Sequence, residues 1–182
     1  MTFELKKTVV LVGMMGSGKT AVGSALARLL NVPFLDSDSE IVRAANMSIA
    51  EIFERDGEPF FREKEAQVIE RLLETERAIL STGGGAFMQP VVRAMSTRLG
   101  VSVWLRADLD LLWSRVKHKT TRPLLQTDDP YATLKSIAET RDPIYAKADM
   151  VVEAQARYSI EDMAEKVIGT LLTRPDVLEE RR

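Results

Sequence analysis

Residues 13–20 read Gly-Met-Met-Gly-Ser-Gly-Lys-Thr, which matches the pattern G-x-x-x-x-G-K-[ST] at every fixed position. The apolar run Thr8–Val12 leads into this stretch, and a helical pattern over Lys19–Leu30 follows it. Glycines let backbone N–H groups fold around phosphate oxygens, and the start of the next helix adds the positive end of its dipole. The stretch therefore predicts a phosphate loop rather than a chance glycine-rich turn.

The phosphate loop also provides the first candidate site residues. Lys19 is predicted to reach the β- and γ-phosphates of ATP and to act in catalysis, and the hydroxyl of Thr20 is predicted to bind Mg²⁺. The candidate nucleotide-binding residues of the loop are Gly13, Gly16, Ser17, Gly18, Lys19 and Thr20.

Short apolar runs alternate with helical patterns along the rest of the chain. This alternation is typical of a parallel sheet covered by helices on both faces, so we predict a three-layer α/β/α fold with five parallel strands. The predicted strands are residues 8–12, 32–35, 78–82, 101–105 and 150–153. The predicted helices are residues 19–30, a short one opened by the capping box at Ser48, and residues 59–76, 90–99, 108–117, 129–148 and 159–173.

The length of 182 residues fits one domain. Residues 117–129 are polar and interrupt two helical patterns, so we expect a mobile lid there. Residues 174–182 form a charged tail, which we expect to be frayed.

Composition excludes several classes of protein. The chain has no cysteine and only one histidine, which rules out a disulfide framework, a thiol nucleophile and a histidine metal cluster. A net charge of −2 without a dense basic stripe argues against nucleic-acid binding. No apolar run reaches the 18 residues of a membrane span, and the apolar N-terminal run lacks a cleavage pattern. We therefore expect a cytoplasmic protein.

The type of nucleotide enzyme depends on the acidic residues. Residues 146–149, Ala-Lys-Ala-Asp, are the nearest match to a guanine-reading [NT]-K-x-D, but they lack its first residue and precede a strand. The length favours a small-molecule kinase. Asp36 and Asp38 come at the end of the second predicted strand. Residues at positions i and i+2 of an extended segment point to the same side, so these two carboxylates could share a site. One could serve Mg²⁺ and the other could face the acceptor hydroxyl, although Asp38 could instead cap a helix.

Gly83, Gly84 and Gly85 follow the third predicted strand. Open α/β sheets bind ligands at the carboxyl ends of their strands, and glycine lets a ligand lie directly against the main chain. We therefore predict a substrate-binding segment here, with a flexible turn as the alternative.

Four further motifs occur in a fixed order along the chain. They are Asp36-Ser-Asp38, Gly57-Glu-Pro-Phe-Phe-Arg62-Glu-Lys-Glu65, Ser81-Thr-Gly83-Gly84-Gly85, and Arg122-Pro-Leu-Leu followed by Arg141-x-Pro-x-Tyr145. With these motifs and the phosphate loop, nearly the whole chain resembles the shikimate kinases. The resemblance implies ATP-dependent phosphorylation of the 3-hydroxyl of shikimate, a monomeric enzyme and a place in aromatic amino-acid biosynthesis.

The resemblance also implies a role for each motif residue. Asp36 would hold Mg²⁺ and Asp38 would bind shikimate hydroxyls and orient or deprotonate the attacking one. The other implied substrate-binding residues are Arg62 and Arg141 at the shikimate carboxylate, with Gly83, Gly84 and Gly85 under the ring. Arg122 would close with the lid over substrate and phosphate, and Arg115 and Arg157 would lie against the adenine.

Other interpretations remain open at this point. From composition alone, Arg62, Arg122 and Arg141 could each be a solvated surface cation, and Glu63 and Glu65 next to Arg62 favour that view. A gluconate-type or nucleoside-monophosphate kinase would share the fold and the phosphate loop. A non-catalytic ATP-binding regulator is a third alternative, but Lys19, Asp36 and Asp38 argue against it.

Overall fold

The computed structural model describes residues 2–118 and 125–182 of the chain. Its strands are β1 (Thr2–Leu5), β2 (Thr8–Val12), β3 (Phe34–Asp36), β4 (Ile79–Ser81), β5 (Gly100–Arg106), β6 (Met150–Glu153) and β7 (Leu178–Arg181). Its α-helices are α1 (Lys19–Leu30), α2 (Ser37–Ala45), α3 (Ile49–Asp56), α4 (Glu58–Thr75), α5 (Pro90–Leu99), α6 (Leu109–Val116), α7 (Pro130–Tyr145) and α8 (Ile160–Leu171).

Five strands form one parallel sheet in the order β3-β4-β2-β5-β6. The central strand β2 is buried along its whole length, and Val10 lies between Leu80 of β4 and Ser102 of β5. Helices flank the sheet in a three-layer α/β arrangement, with α1 packed on α8 and α4 packed on α5. The predicted fold class is thereby confirmed, and each predicted strand overlaps an observed one.

Local sequence signals account for where several helices begin. Ser48, Asp108, Asp129 and Ser159 each accept a hydrogen bond from a backbone N–H in the first turn of α3, α6, α7 and α8, respectively. Such caps satisfy N–H groups that have no partner within the helix. Gly57 ends α3 and directly precedes α4, in agreement with the stop that the sequence predicts.

The segment after the second predicted strand differs from the prediction. Strand β3 ends at Asp36, and α2 begins at the next residue. The Asp36 carboxylate accepts a hydrogen bond from the N–H of Ser39 at 3.1 Å, so Asp36 caps the helix. Asp36 and Asp38 therefore do not share one extended segment, and the suggestion that Asp38 caps a helix is wrong as well. The relative position of the two carboxylates is set by the change from strand β3 to helix α2.

The terminal segments form a second, two-stranded sheet that the sequence analysis did not predict. Strands β1 and β7 pair antiparallel, and Leu5 lies opposite Leu178, with both side chains buried. An ion pair of 2.8 Å joins Lys6 to Glu179. The expected frayed tail is thus wrong for this segment, because backbone pairing and buried leucines fix it.

The carboxyl ends of the central strands meet at one edge of the sheet. The phosphate loop leaves β2 there, residues 83–85 follow β4, and α2 starts at the end of β3. Open α/β sheets bind ligands at the carboxyl ends of their strands, in the crevice at the point where the strand order reverses. Among the described residues, no helix combines the length and apolar character that crossing a membrane needs.

Candidate active site

The phosphate loop joins β2 to the first turn of α1. Gly16 and Gly18 have φ angles of +84° and +98°, a backbone region that side-chain-bearing residues rarely adopt. The Lys19 ammonium donates to the carbonyl oxygens of Gly13 at 2.6 Å and Met14 at 3.2 Å, so it lies across the loop. Thr20 occupies the second position of α1. The sequence motif and the loop conformation agree.

One atom of the loop fits a bound anion. Within the described chain, the Oγ of Ser17 is buried and has no hydrogen-bond partner. A buried hydroxyl without a partner costs about 1–3 kcal/mol of stability, and a phosphate oxygen is an acceptor for it. The loop residues therefore fit the phosphates of a nucleotide.

The two arginines that the family resemblance assigns to the adenine lie in different surroundings. Arg115, on α6, donates to the carbonyl oxygen of Gly16 at 3.0 Å and so contacts the phosphate loop. Arg157 is exposed in the segment between β6 and α8, where it donates to Gln155 at 2.9 Å and to the Tyr158 hydroxyl at 3.4 Å. The structure thus connects Arg115, but not Arg157, to the loop. Both adenine contacts stay predictions.

Asp38 lies in the first turn of α2. Burial raises the pKa of its carboxyl above 3.8, and the neighbouring Asp36 raises that pKa further. The positive charges of Arg62 and Lys19 oppose both effects. Asp38 is therefore close enough to the phosphate-loop lysine and to the predicted substrate arginine for both charges to affect it. A raised pKa makes a carboxylate a better proton acceptor.

Arg62, on α4, forms an ion pair with Glu65 of the same helix. Its Nη1 donates to Oε1 of Glu65 at 2.6 Å, and Oε1 also accepts from the side-chain amide of Gln89 at 2.9 Å. Glu65 is 1% exposed, and burial raises the pKa of its carboxyl despite the opposing charge of Arg62. The Arg62 side chain is 26% exposed, so the ion pair is partly buried, and its short hydrogen bond restrains the Arg62 guanidinium.

Glu65 is a residue whose importance the sequence analysis missed. Its acidic character suggested only a solvated helix face around Arg62. The useful signal was the spacing of three residues between Arg62 and Glu65 on a helix, which brings their side chains together. Burial separates this pair from an ordinary surface pair, and burial is not visible in the local sequence.

Gly83, Gly84 and Gly85 form what we call the glycine floor. A Cβ atom on Gly83 would lie 2.9 Å from Oδ1 of Asp38, and one on Gly84 would lie 2.6 Å from Nη1 of Arg141. A Cβ atom on Gly85 would overlap the guanidinium group of Arg62. The three charged side chains thus occupy the space that side chains on the floor would need. The structure brings these predicted substrate residues together.

Two predicted features fall wholly or partly outside the described chain. Arg122 is not among the described residues, and neither are the other residues at 119–124 of the predicted lid at 117–129. Within residues 2–118 and 125–182, no group of three or more His, Asp and Glu side chains could hold a metal ion. A divalent cation would therefore need further oxygen ligands from elsewhere.

The fold and the phosphate loop together define a P-loop kinase of the small-molecule class. A family model described as shikimate kinase matches residues 15–172. The chain therefore belongs to the shikimate kinase family, and it is an enzyme that transfers a phosphoryl group from ATP to shikimate. The function and the enzyme class predicted from the sequence are confirmed.

Individual relatives agree with the family model. A shikimate kinase of Cereibacter sphaeroides is 66% identical over 176 residues, which cover 97% of this chain and 88% of the relative. One of Ruegeria pomeroyi is 62% identical over 175 residues, covering 96% and 90%. Among solved structures, a shikimate kinase from Acinetobacter baumannii in complex with shikimate has a TM-score of 0.84 and 38% identity, covering 92% of this chain and 93% of that one.

Proposed function

We propose that this enzyme phosphorylates the 3-hydroxyl of shikimate, with the floor residues and their charged neighbours as the acceptor site. The observation that carries this proposal is that Asp38, Arg141 and Arg62 each lie against one of three successive glycines. One carboxylate and two guanidinium groups thus surround a surface with no side chains. Such a surface suits a flat ring that carries hydroxyls and one carboxylate.

The two arginines would bind the shikimate carboxylate. A guanidinium group presents N–H donors in a planar fork that matches a carboxylate, whereas an ammonium group is a point charge. Arg62 comes from α4 and Arg141 from α7, so the two helices would close on the acid from different sides. The carboxylate end fixes which ring hydroxyl lies near the phosphate loop.

The nucleotide would bind along the phosphate loop, with Ser17 and the backbone of the loop at its phosphates. Lys19 would neutralise charge on the β- and γ-phosphates, and Arg122 would add a second cation from the lid. Arg115 and Arg157 would border the adenine. Phosphoryl transfer depends mostly on such positioning and charge neutralisation.

Mg²⁺ would be held by the Thr20 hydroxyl and by Asp36. This donor set fits the ion, because Mg²⁺ prefers oxygen ligands and usually takes one or two from protein and others from phosphates and water. When bound, the ion neutralises charge on the phosphate oxygens. Asp36 also caps α2, and this contact fixes the orientation of its carboxylate.

Asp38 would act on the acceptor hydroxyl. The hydroxyl oxygen forms a bond to the γ-phosphorus while the bond from that phosphorus to the β–γ bridging oxygen breaks, and ADP leaves with the electron pair. The hydroxyl proton passes to the Asp38 carboxylate. The raised pKa of Asp38 favours this transfer, and the positive charges of Lys19 and Arg62 favour the ionised form that accepts the proton.

The first test compares acceptors. ADP release from ATP and Mg²⁺ is measured with shikimate, gluconate, AMP and no acceptor, and the position of the phosphate on the product is determined by NMR. We expect strong release with shikimate alone and phosphate on the 3-hydroxyl. Release with gluconate or AMP would contradict the acceptor site, and phosphate on another hydroxyl would contradict the orientation that the arginines impose.

Arg62→Lys tests the carboxylate clamp. We expect the KM for shikimate to rise about tenfold or more, because charged hydrogen bonds are worth about 1.5–3 kcal/mol and the planar fork is lost. The KM for ATP should change by less than about twofold, because the lost guanidinium fork binds the shikimate carboxylate and not the nucleotide. Arg71→Lys, an exposed position on the same helix, is the matched control. Equal losses for both substrates would contradict the assignment.

We also propose that the enzyme works as a monomer in the cytoplasm, as the sequence analysis predicts. Analytical ultracentrifugation across a range of protein concentrations tests the first part, and cell fractionation tests the second. A stable dimer or a membrane-bound pool would contradict this proposal.

A further inference from the structure

Tyr145 lies at the last position of α7 and reaches the glycine floor from the side of the helix. Its hydroxyl donates to the carbonyl oxygen of Gly84 at 2.6 Å, across 61 positions of sequence. Tyr145 is 1% exposed and Gly84 is half-buried, so the hydrogen bond is partly shielded from water. Such a hydrogen bond to a main-chain carbonyl restricts how the peptide can rotate.

The same helix presents Arg141 to the same glycine. Arg141 precedes Tyr145 by four residues, a spacing that places two side chains on one helix face. A Cβ atom on Gly84 would lie 2.6 Å from Nη1 of Arg141 and 3.8 Å from the hydroxyl of Tyr145. The tyrosine and the arginine thus contact one peptide of the floor as a pair.

The neighbouring glycine is held by a different element, α2. The N–H of Gly83 donates to Oγ of Ser37 at 3.3 Å, and Ser37 is fully buried between the two aspartates. The floor is therefore fixed at Gly83 by the start of α2 and at Gly84 by the end of α7. Shifts of the floor would change its distance to Asp38 and Arg141 together.

The ionisation of Tyr145 suits a permanent donor. Burial raises its pKa to about 12, although the charge and hydrogen bonding of Arg141 oppose the rise. The hydroxyl therefore keeps its proton throughout the neutral range. Its hydrogen bond to Gly84 does not change with pH under conditions where the enzyme works.

We propose that Tyr145 is a positioning residue, whose hydroxyl holds the Gly84 peptide beneath Arg141 and thereby sets the affinity for shikimate. This inference rests on the proposed role of Arg141 at the shikimate carboxylate. A purely structural role is the competing explanation, because the Tyr145 ring lies 6.0 Å from that of Trp104 and fills the core. The ring accounts for packing, but packing does not need the hydroxyl.

Tyr145→Phe separates these explanations, because it keeps the ring and removes the hydroxyl. We expect the Kd for shikimate, measured by calorimetry without ATP, to rise about tenfold, the effect of one lost hydrogen bond next to a charged group. We expect the KM for ATP and kcat to stay within about twofold, since neither involves the Gly84 peptide directly. Tyr131→Phe, at the exposed start of the same helix, is the matched control.

The double variant Tyr145→Phe with Arg141→Lys gives a readout that packing alone would not change. If Tyr145 acts through the floor beneath Arg141, the loss of shikimate affinity in the double variant is smaller than the product of the two single losses. A simple product would overturn the proposal. Unchanged shikimate affinity, equal weakening of ATP and shikimate, or failure of Tyr145→Phe to fold would overturn it too.

The experiment also distinguishes this inference from the proposed function. If Arg141→Lys alone leaves shikimate affinity unchanged, the acceptor site itself is wrong. If Arg141→Lys weakens shikimate binding while Tyr145→Phe does not, the acceptor site stands and the positioning role of Tyr145 is refuted.

Discussion

The phosphate loop and the glycine floor both depend on glycine, but for different physical reasons. In the loop, Gly16 and Gly18 adopt positive φ angles, so a side chain would strain the backbone itself. In the floor, Gly85 has a φ of −92°, which any residue adopts. There glycine is needed because charged side chains from α2, α4 and α7 occupy the space of a Cβ atom.

This difference determines what each region does. The loop presents backbone N–H groups in a conformation that the chain adopts locally, so it suits phosphates, which many enzymes bind in the same way. The floor is defined by what approaches it from distant segments, so it suits one particular acceptor. The phosphate loop is thus contained within eight consecutive residues, whereas the proposed acceptor site is assembled from four parts of the chain.

The largest expected effect comes from Asp38→Asn, which alters the group opposite Gly83 and leaves the loop intact. We expect kcat with shikimate to fall by about 10²–10⁴-fold, the usual contribution of a positioned proton acceptor. The Kd for ATP should change by less than about twofold, since Asn keeps the shape of the side chain. Turnover by quenched-flow assay and ATP binding by calorimetry are the measurements.

Asp56→Asn, an exposed change at the end of α3, is the control for Asp38→Asn. Near wild-type turnover by Asp38→Asn would remove Asp38 from the reaction. A matching loss of ATP affinity would mean that loop and floor are not separate regions.

The next largest effect is a difference in which ligand each of two variants loses: Gly84→Ala should lose shikimate affinity, and Gly18→Ala should lose ATP affinity. In Gly84→Ala the new Cβ forces only the end of the Arg141 side chain to move, so we expect shikimate affinity to fall about tenfold with little loss of stability. In Gly18→Ala the positive φ of +98° is strained, at about 1–3 kcal/mol, so we expect a lower melting temperature and weaker ATP binding.

Thermal melting with each ligand added separately measures this difference. Shikimate should stabilise Gly18→Ala more than Gly84→Ala, because a ligand that binds only the folded state stabilises it by RT ln(1 + [L]/Kd), so weaker binding gives a smaller rise in melting temperature. If both variants lose the same ligand, the contrast between a backbone requirement and a space requirement is wrong.

The same contrast explains what the sequence could predict. The strand Thr8–Val12, the loop and the helix Lys19–Leu30 follow one another directly, and each carries a local signal. Caps such as Ser159 are local as well. The nucleotide side of the site and most of the fold were therefore accessible from pattern and spacing.

The features that the sequence analysis missed depend on contacts between distant segments. Strands β1 and β7 pair across nearly the whole chain, and nothing in the charged tail distinguishes a paired strand from a frayed end. The turn at Asp36 was missed because a strand of three residues passes into α2 without a connecting loop. Glu65 was treated as part of a solvated face and Tyr145 was given no role, because Gln89 and Gly84, which they contact, lie 24 and 61 positions away in the sequence.

The smallest expected effect concerns stability, and it tests whether the floor is built for function at the expense of folding. Burial raises the pKa of Asp38 in the folded protein, so its ionised form is disfavoured there relative to the unfolded chain. The stabilising contribution of this raised pKa is fully present below about pH 3.8, the ordinary pKa of an aspartate in an unfolded chain. It is lost as pH rises through the folded pKa.

Asn resembles the protonated carboxyl and does not titrate. We therefore expect Asp38→Asn to melt at a higher temperature than the wild type at pH 8, with a difference that shrinks as pH falls towards 4. Differential scanning calorimetry at both pH values measures this, with Asp56→Asn as the control. If Asp38→Asn were less stable than the wild type at pH 8, the attraction of Arg62 and Lys19 would outweigh burial. Asp38 would then stabilise the folded protein. The charged groups around the glycine floor would contribute to stability as well as to substrate binding.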